Sequence, residues 1–406
     1  MIIAGPGTGK TRALTHRIAH QVTDRNAVPQ SVLAITFTRR AAEEMRGRLA
    51  ALIPGAAAGI TVTTFHGLGL MILREHHERA GLAADFRVAD DNDRLEVASE
   101  LAGAARAGRR LLADAAAQPG TRQILAKALA ARGLVDFDGL IELPAALLAA
   151  EPELAGALGD RWPHISVDEY QDIDPGQYEL LRLLAGDGRG LTVIGDPDQA
   201  IYGFRGADVR VFLRFARDYP AAVTAQLTTN YRSSQAIVTA AMQAIAPATL
   251  VPGRALRAEV PGPAVCFHQA PDEQAEAAWI ARAIDRLLGG TSFHSLDSGR
   301  ADAHGQDGIG LSDIALLYRT DAQAGALGQA LSRAGLPFQK RSHDLLERRT
   351  GVPEIVSQMR LAAGDAAADG GPQARRPGAR AASWRRGGGL SLRGRDPRPA
   401  RRSLRQ

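Results

Sequence analysis

The sequence predicts an α/β chain organised around a mainly parallel sheet with helices on both faces. Three observations carry that prediction. Short β-rich apolar runs alternate with stretches of helical periodicity, a glycine-rich turn follows the first run, and an Asp-Glu pair ends a later one. Parallel neighbours need a crossover between them, and the helical stretches supply it.

Each element follows in order. The opening apolar residues form a short strand. The runs at 32–37 (VLAITF), 60–64 (ITVTT), 164–167 (HISV), 191–195 (LTVIG) and 225–229 (AQLTT) read as buried strands. Leu14, Ile18 and Val22 recur every fourth residue, as do Met45 and Leu49, so both stretches suit helices lying on a sheet. Residues 81–161 break the rhythm. Rich in Ala, Leu and Arg, they read as a helical insertion. A second alternation then sets in. Strands are expected at 264–269 (AVCFHQ) and 313–319 (DIALLYR), with helices through Ile280, Ile284 and Leu287 and through Leu327 and Leu331. The Gly/Ser/Asp/His stretch 289–310 reads as a loop. From about residue 363 the aliphatic pattern dissolves into Gly, Pro and Arg, which predicts a disordered basic tail.

Composition narrows the class. An apolar content of 45% and a charged content of 23% over 406 residues are those of an ordinary globular chain with room for two or three cores. The one cysteine, Cys266, excludes a disulfide framework and fits the reducing cytoplasm. No apolar run approaches the ~20 residues of a spanning helix. The net charge of +5 misleads if read as a whole. Residues 371–406 carry eleven Arg against one Asp, so residues 1–370 are net negative and any polyanion-binding face must be a local patch.

The glycine-rich turn is Gly5-Pro6-Gly7-Thr8-Gly9-Lys10-Thr11, with Ala4 standing where the commoner spacing has its first glycine. Such a loop lets backbone N–H groups converge on phosphate oxygens at the positive end of the next helix. Lys10 would reach the terminal phosphates, and Thr11 would ligate Mg²⁺. In "ISVDEYQD" (165–172) a buried strand ends in Asp168-Glu169. One carboxylate suits the Mg²⁺ shell, and the other suits the orientation of an attacking water. The loop alone says only that a nucleotide binds, and acidic pairs at strand ends are common. Together they point to ATP hydrolysis. His16, His20 and His164 show no metal-ligand spacing and read as surface or packing residues.

Several motifs in fixed order carry a more specific likeness. "AGPGTGKT", "AITFTRRAAEEMRGRL" (34–49), "TVTTFHGLGLMILR" (61–74), "VDFDGL" (135–140), "VDEYQDID" (167–174), "IGDPDQAIYGFRGAD" (194–208) and "LTTNYRSSQAI" (227–237) resemble the motifs of UvrD/PcrA/Rep-type superfamily-one DNA helicases. The likeness is dense over 1–238 and weaker at 313–331 and 335–349. It implies a RecA-like motor domain in two parts, 1–80 and 162–238, around the insertion at 81–161. A second, incomplete RecA-like domain would follow at 239–362, and the tail at 363–406.

By position, the resemblance implies roles for individual residues. Ala4, Gly5, Gly7, Thr8, Gly9, Lys10, Thr11 and Arg12 would bind the nucleotide, with Tyr231 stacking on adenine. Glu169 would act on water, Gln199 would sense the γ-phosphate, and Arg232 would reach that phosphate. Thr11 and Asp168 would hold Mg²⁺. Phe37, Arg39, His66, Tyr202, Phe204 and Arg205 would face single-stranded DNA, planar side chains stacking on bases without regard to sequence. Phe204 stands where the family usually has Trp, and Arg39-Arg40 where it usually has Asn-Lys. The implied activity is ATP-dependent 3′–5′ unwinding or translocation on single-stranded or 3′-tailed DNA. The last two motifs of the family have no match, and a Gln-bearing segment before the first strand is missing. A chain truncated at both ends with impaired unwinding is therefore expected. The alternative, a remnant that binds ATP or single-stranded DNA without turnover, stays open.

Overall fold

The computed structural model describes residues 1–289, 309–340 and 355. The chain divides into two compact units, Met1–Phe267 and His268–Gln406.

The first unit begins β1 (Ile2–Ala4), α1 (Lys10–Thr23), β2 (Val32–Thr36), α2 (Arg39–Leu52), β3 (Thr61–Thr64) and α3 (Phe65–Glu75). Hydroxyls start two of these helices. Thr38 accepts a hydrogen bond from the Ala41 N–H at 3.1 Å, and Thr64 accepts one from the Gly67 N–H at 3.1 Å, satisfying donors the first turn leaves open. After the insertion come β6 (His164–Val167), α9 (Pro175–Ala185), β7 (Leu191–Gly195), the short helices α10 (Val209–Leu213) and α11 (Phe215–Asp218), and β8 (Ala225–Leu227). All six strands pair in parallel, in the order β3-β2-β6-β7-β1-β8.

The alternation along β2 shows why both faces are covered. Val32 and Ala34 pack with Leu14, Ile18, Met45 and Leu49 of α1 and α2. Leu33 and Ile35 point the other way, into a core with Phe65, Leu68, Leu180 and Leu184. A strand buried on both sides is apolar at every position, and all five residues of β2 are buried.

Within the expected insertion lie β4 (Arg87–Val88), α4 (Asp91–Leu101), α5 (Ala105–Ala117), α6 (Pro119–Ala130) and β5 (Leu134–Val135). These form a small body with its own core of Val97, Ala98, Leu125 and Leu129. The remaining helices of that stretch, α7 (Gly139–Ala150) and α8 (Pro152–Arg161), belong to the main core instead, through Ile141, Leu147, Leu148, Leu154 and Leu158. Past the sheet, β9 (Thr229–Ser234), α12 (Gln235–Ile245) and β10 (Arg257–Val260) follow, with β9 and β10 paired in parallel.

In the second unit, α13 (Glu273–Leu287) and α14 (Asp321–Arg333) pack through Ala281, Ile284 and Leu331, with Leu336 just past α14 in the same core. Both expected helices are there. The expected strands at 264–269 and 313–319 are not: these runs form no strand, and Phe267 and Leu317 are 92% and 96% exposed. A helix closes its hydrogen bonds within itself, whereas a strand needs a neighbour, and none lies alongside these runs among the described residues. Residues 290–308 of the loop expected at 289–310, the end of the region 239–362 apart from residue 355, and the basic tail 363–406 lie outside the described residues.

Candidate functional site

The first loop joins β1, which lies between β7 and β8 inside the sheet, to the N-terminus of α1. Gly7 and Gly9 have φ of 69° and 82°, a region that side chains with a Cβ rarely adopt. Gly7 also admits no side chain for want of space. A Cβ there would lie 2.5 Å from Nδ2 of Asn230. That asparagine donates to the Pro6 carbonyl at 2.6 Å, and the Tyr231 N–H donates to the Gly7 carbonyl at 2.9 Å. The strand β9 thus clasps the loop from outside. Inside the loop, the buried Thr8 hydroxyl donates to the Gly5 carbonyl at 2.8 Å.

Across the loop, β6 delivers Asp168 and Glu169. The Thr11 hydroxyl donates to Asp168 Oδ2 at 3.2 Å, and the Glu169 N–H donates to Asp168 Oδ1 at 3.0 Å. Glu169 has φ of 50°, a left-handed conformation unusual outside glycine and of the kind found at working sites. Lys10 Nζ lies 3.2 Å from Glu169 Oε2 and donates to Gln199 Oε1 at 3.0 Å. Gln171, itself buried, donates to Glu169 Oε2 and to Asp172 Oδ2, each at 3.0 Å, and its Oε1 accepts from the Asp196 N–H at 3.0 Å. Burial first, then the Glu169 charge, pushes Asp168 up to about 6. The same two causes push Asp172 up to about 6. The sheet therefore holds acidic groups where burial outweighs the nearby Lys10 charge.

A cavity of about 650 Å³ opens over this arrangement. Of the residues expected to bind nucleotide or act on it, Gly5, Gly7, Gly9, Lys10, Thr11, Arg12, Glu169, Gln199 and Arg232 line it. Ala4 and Thr8 do not. Ala4 is fully buried in the core under α1, and Thr8 serves the loop from within. Asp168 stands one hydrogen bond behind Thr11. Tyr231 follows the clasping Asn230 with its side chain exposed. The lining residues that were not anticipated include two that can carry positive charge: His16, expected to be a surface or packing residue, and Arg48 on α2. The signal was present in the spacing. His16 stands four residues after Arg12, one helical turn along the same face.

The residues expected to face a nucleic-acid strand fall into two groups. Phe37 and Tyr202 have ring centroids 5.0 Å apart, and Tyr202 and Phe204 6.1 Å, with Phe204 79% exposed. His66 stacks instead on Phe137 at 3.8 Å, and burial pulls its imidazole below the usual value against the pull of Asp174 and Asp138. Phe137, in the quoted "VDFDGL", is a planar partner that sequence reasoning missed. Arg39 is exposed at the start of α2. The Arg205 side chain lies outside the described residues.

Comparison with known proteins decides the family. The UvrD/REP helicase N-terminal domain matches residues 1–118 and 114–220, and the UvrD-like helicase C-terminal domain matches residues 225–366. The chain belongs to the UvrD-like helicases. It is 35% identical over 391 residues to the ATP-dependent DNA helicase PcrA of Leuconostoc citreum, covering 89% of this chain and 50% of that protein. To the protein of the same name in Staphylococcus aureus (strain NCTC 8325 / PS 47) it is 32% identical over 392 residues, covering 89% and 51%. The UvrD-like chain thus spans about half the length of the curated relatives it matches. No described helix is long and apolar enough to cross a membrane.

Proposed function

We propose that this UvrD-like chain binds ATP with Mg²⁺ in the 650 Å³ cavity and hydrolyses it, coupled to single-stranded DNA held along the aromatic surface. One observation carries the reading: Lys10 Nζ stands between Glu169 and Gln199 while Thr11 meets Asp168. Those contacts join side chains 157 and 189 residues apart in sequence at a single loop.

The site's own residues divide the work. The loop N–H groups and the start of α1 receive the phosphate chain. Lys10 meets its terminal phosphates, exchanging the Glu169 carboxylate for a phosphate oxygen. Glu169, released from that ion pair and still held by Gln171, orients the attacking water and takes up its proton. Arg12, Arg48 and Arg232 add positive charge along the wall, where it stabilises the negative charge that grows on the transferred phosphoryl group. Thr11 Oγ1 and Asp168 Oδ2, 3.2 Å apart, are hard oxygen donors of the kind Mg²⁺ selects. When bound, the ion neutralises phosphate charge.

Phe37, Tyr202 and Phe204 form a run of planar faces suited to stacking bases without sequence preference. The sequence run "GDPDQAIYGF" links Gln199 to Tyr202 directly, so a strand on the aromatics can bias the sensor. We extend this to 3′–5′ movement on single-stranded or 3′-tailed DNA in the cytoplasm, as the family likeness suggests. The test is steady-state ATPase with and without a dT oligonucleotide. We expect turnover that the oligonucleotide raises and that Lys10→Ala abolishes. A folded chain that binds nucleotide and never turns it over would favour the non-motor alternative.

A further inference from the structure

Beside the phosphate seat lies a buried charge cluster that the chemistry above does not use. Asp196, just past β7, is fully buried, and Asp198 follows two residues on. Arg254, on the segment between α12 and β10, reaches both. Its Nη2 lies 2.6 Å from Asp196 Oδ2, and its Nη1 donates to Asp198 Oδ2 at 2.5 Å. The arginine side chain is 7% exposed. Asp198 also accepts from the Thr249 hydroxyl and from the Leu250 N–H, each at 2.6 Å. Residues 249–254 are thereby clamped onto the turn that carries Gln199.

The clamp has a chemical consequence for Gln199. Asp196 Oδ2, the oxygen that Arg254 pairs, also accepts from Gln199 Nε2 at 2.5 Å. A carboxylate paired with a guanidinium is an acceptor only, so it must face the NH₂ end of the glutamine amide. The other end, Oε1, then points at Lys10 Nζ, 3.0 Å away. Turned over, the amide would set N–H against an ammonium. The guanidinium also lies against the phosphate loop, since a Cβ on Gly5 would come within 3.1 Å of its Nη2. The planar fork of the arginine gives each carboxylate its own nitrogen, Nη2 towards Asp196 and Nη1 towards Asp198.

We infer that Arg254 is a positioning residue for nucleotide turnover, holding Asp196 so that the Gln199 amide keeps its oxygen on Lys10. The inference rests on the ATP-hydrolysis reading for its kinetic consequence but not for the geometry, and the two are tested separately.

The geometric arm uses glutamine-selective ¹⁵N labelling of the nucleotide-free chain, with the Gln199 side-chain signals assigned by their loss in Gln199→Ala. Two dispersed, slowly exchanging N–H signals are expected, collapsing to the position of solvent-exposed glutamine in Arg254→Met. Unchanged Gln199 signals in folded Arg254→Met overturn the inference, whatever the ATPase result. If Arg254→Met does not fold, Arg254→Met/Asp198→Asn, which removes one orphaned carboxylate, is read the same way. The kinetic arm expects kcat to fall about tenfold with KM for ATP held within about threefold, since the loop and Lys10 remain. Arg254→Met/Gln199→Ala should then be no slower than Gln199→Ala alone, and additive losses overturn the inference. A wild-type chain with ordered Gln199 signals and no ATPase refutes the hydrolysis reading and leaves the geometric arm to decide this one.

Discussion

The central sheet of the first unit and the helix pair of the second begin from similar material, short apolar runs alternating with amphipathic stretches. In the first, each of β2, β6 and β7 lies between two parallel neighbours and is covered on both faces. In the second, α13 and α14 pack on one another, while the run at 314–318 between them leaves Leu317 almost wholly exposed. The difference teaches where functional geometry can be stored. A phosphate loop and an acidic pair stay in register only if the strands that carry them are pinned from both sides, and β1 and β6 are so pinned.

Hydrogen exchange breaks or upholds that contrast with the largest expected effect. Amides of Leu33, Ile35, Ile165 and Val193 should exchange only through global opening, at about 5–15 kcal/mol. Amides at 314–318 should exchange at opening free energies near ~0 kcal/mol. Comparable protection in the two regions would mean that the second unit holds a ladder after all.

What the sequence made legible follows the same division. The strand runs at 32–37, 164–167 and 191–195, the helical character of 81–161 though not the membership of α7 and α8 in the main core, and the pairing of Lys10 and Thr11 with Asp168 and Glu169 could be read because local pattern and motif chemistry agree. The strands expected at 264–269 and 313–319 were misread because periodicity reports a preference, and a ladder needs a partner that local pattern does not reveal. Arg254 and Asp196 were missed for a related reason. Their contact spans 58 positions, and neither residue type is unusual in its own stretch. Arg48 and His16 differ, since their placement on helix faces was open to a turn-by-turn reading of α1 and α2.

A second measurement sharpens what the pinned sheet costs. Asp168, raised to about 6 from 3.8 mainly by burial and then by Glu169, holds its proton more tightly in the fold than in the unfolded chain. The stability it contributes is therefore full below the unfolded value and is lost as pH rises from about 4 to about 6. Asp168→Asn should stabilise the nucleotide-free chain at pH 7.5 by about 2–3 kcal/mol, with the gain fading towards pH 4. Urea unfolding at the two pH values reads it. An equal gain at both would assign the effect to packing, not charge.

Next in size is the loop itself. Gly7→Ala must bear a left-handed φ and displace Asn230, so it loosens the clasp of β9 as well as the phosphate seat. The strain is about 1–2 kcal/mol for the backbone alone. Affinity for a fluorescent ATP analogue should fall roughly 10- to 100-fold, equivalent to about 1.4–2.8 kcal/mol. Wild-type affinity in the alanine variant would show that the loop reshapes freely and that β9 does not set it.

The smallest effect tests the other side of the comparison. Gly325 lies inside α14, exposed, with nothing within 4 Å of a Cβ placed there. No turn or close approach requires a glycine at this position, so its only contribution is backbone entropy lost on folding. Gly325→Ala should therefore stabilise the second unit by about 0.5–1 kcal/mol, seen as slower exchange of the α14 amides with the first unit unchanged. The same one-carbon change that disables a loop held by distant strands strengthens a helix governed by its own sequence. If Gly325→Ala instead weakens α14, that helix face must meet another surface, and the second unit would depend on remote contacts as the first does.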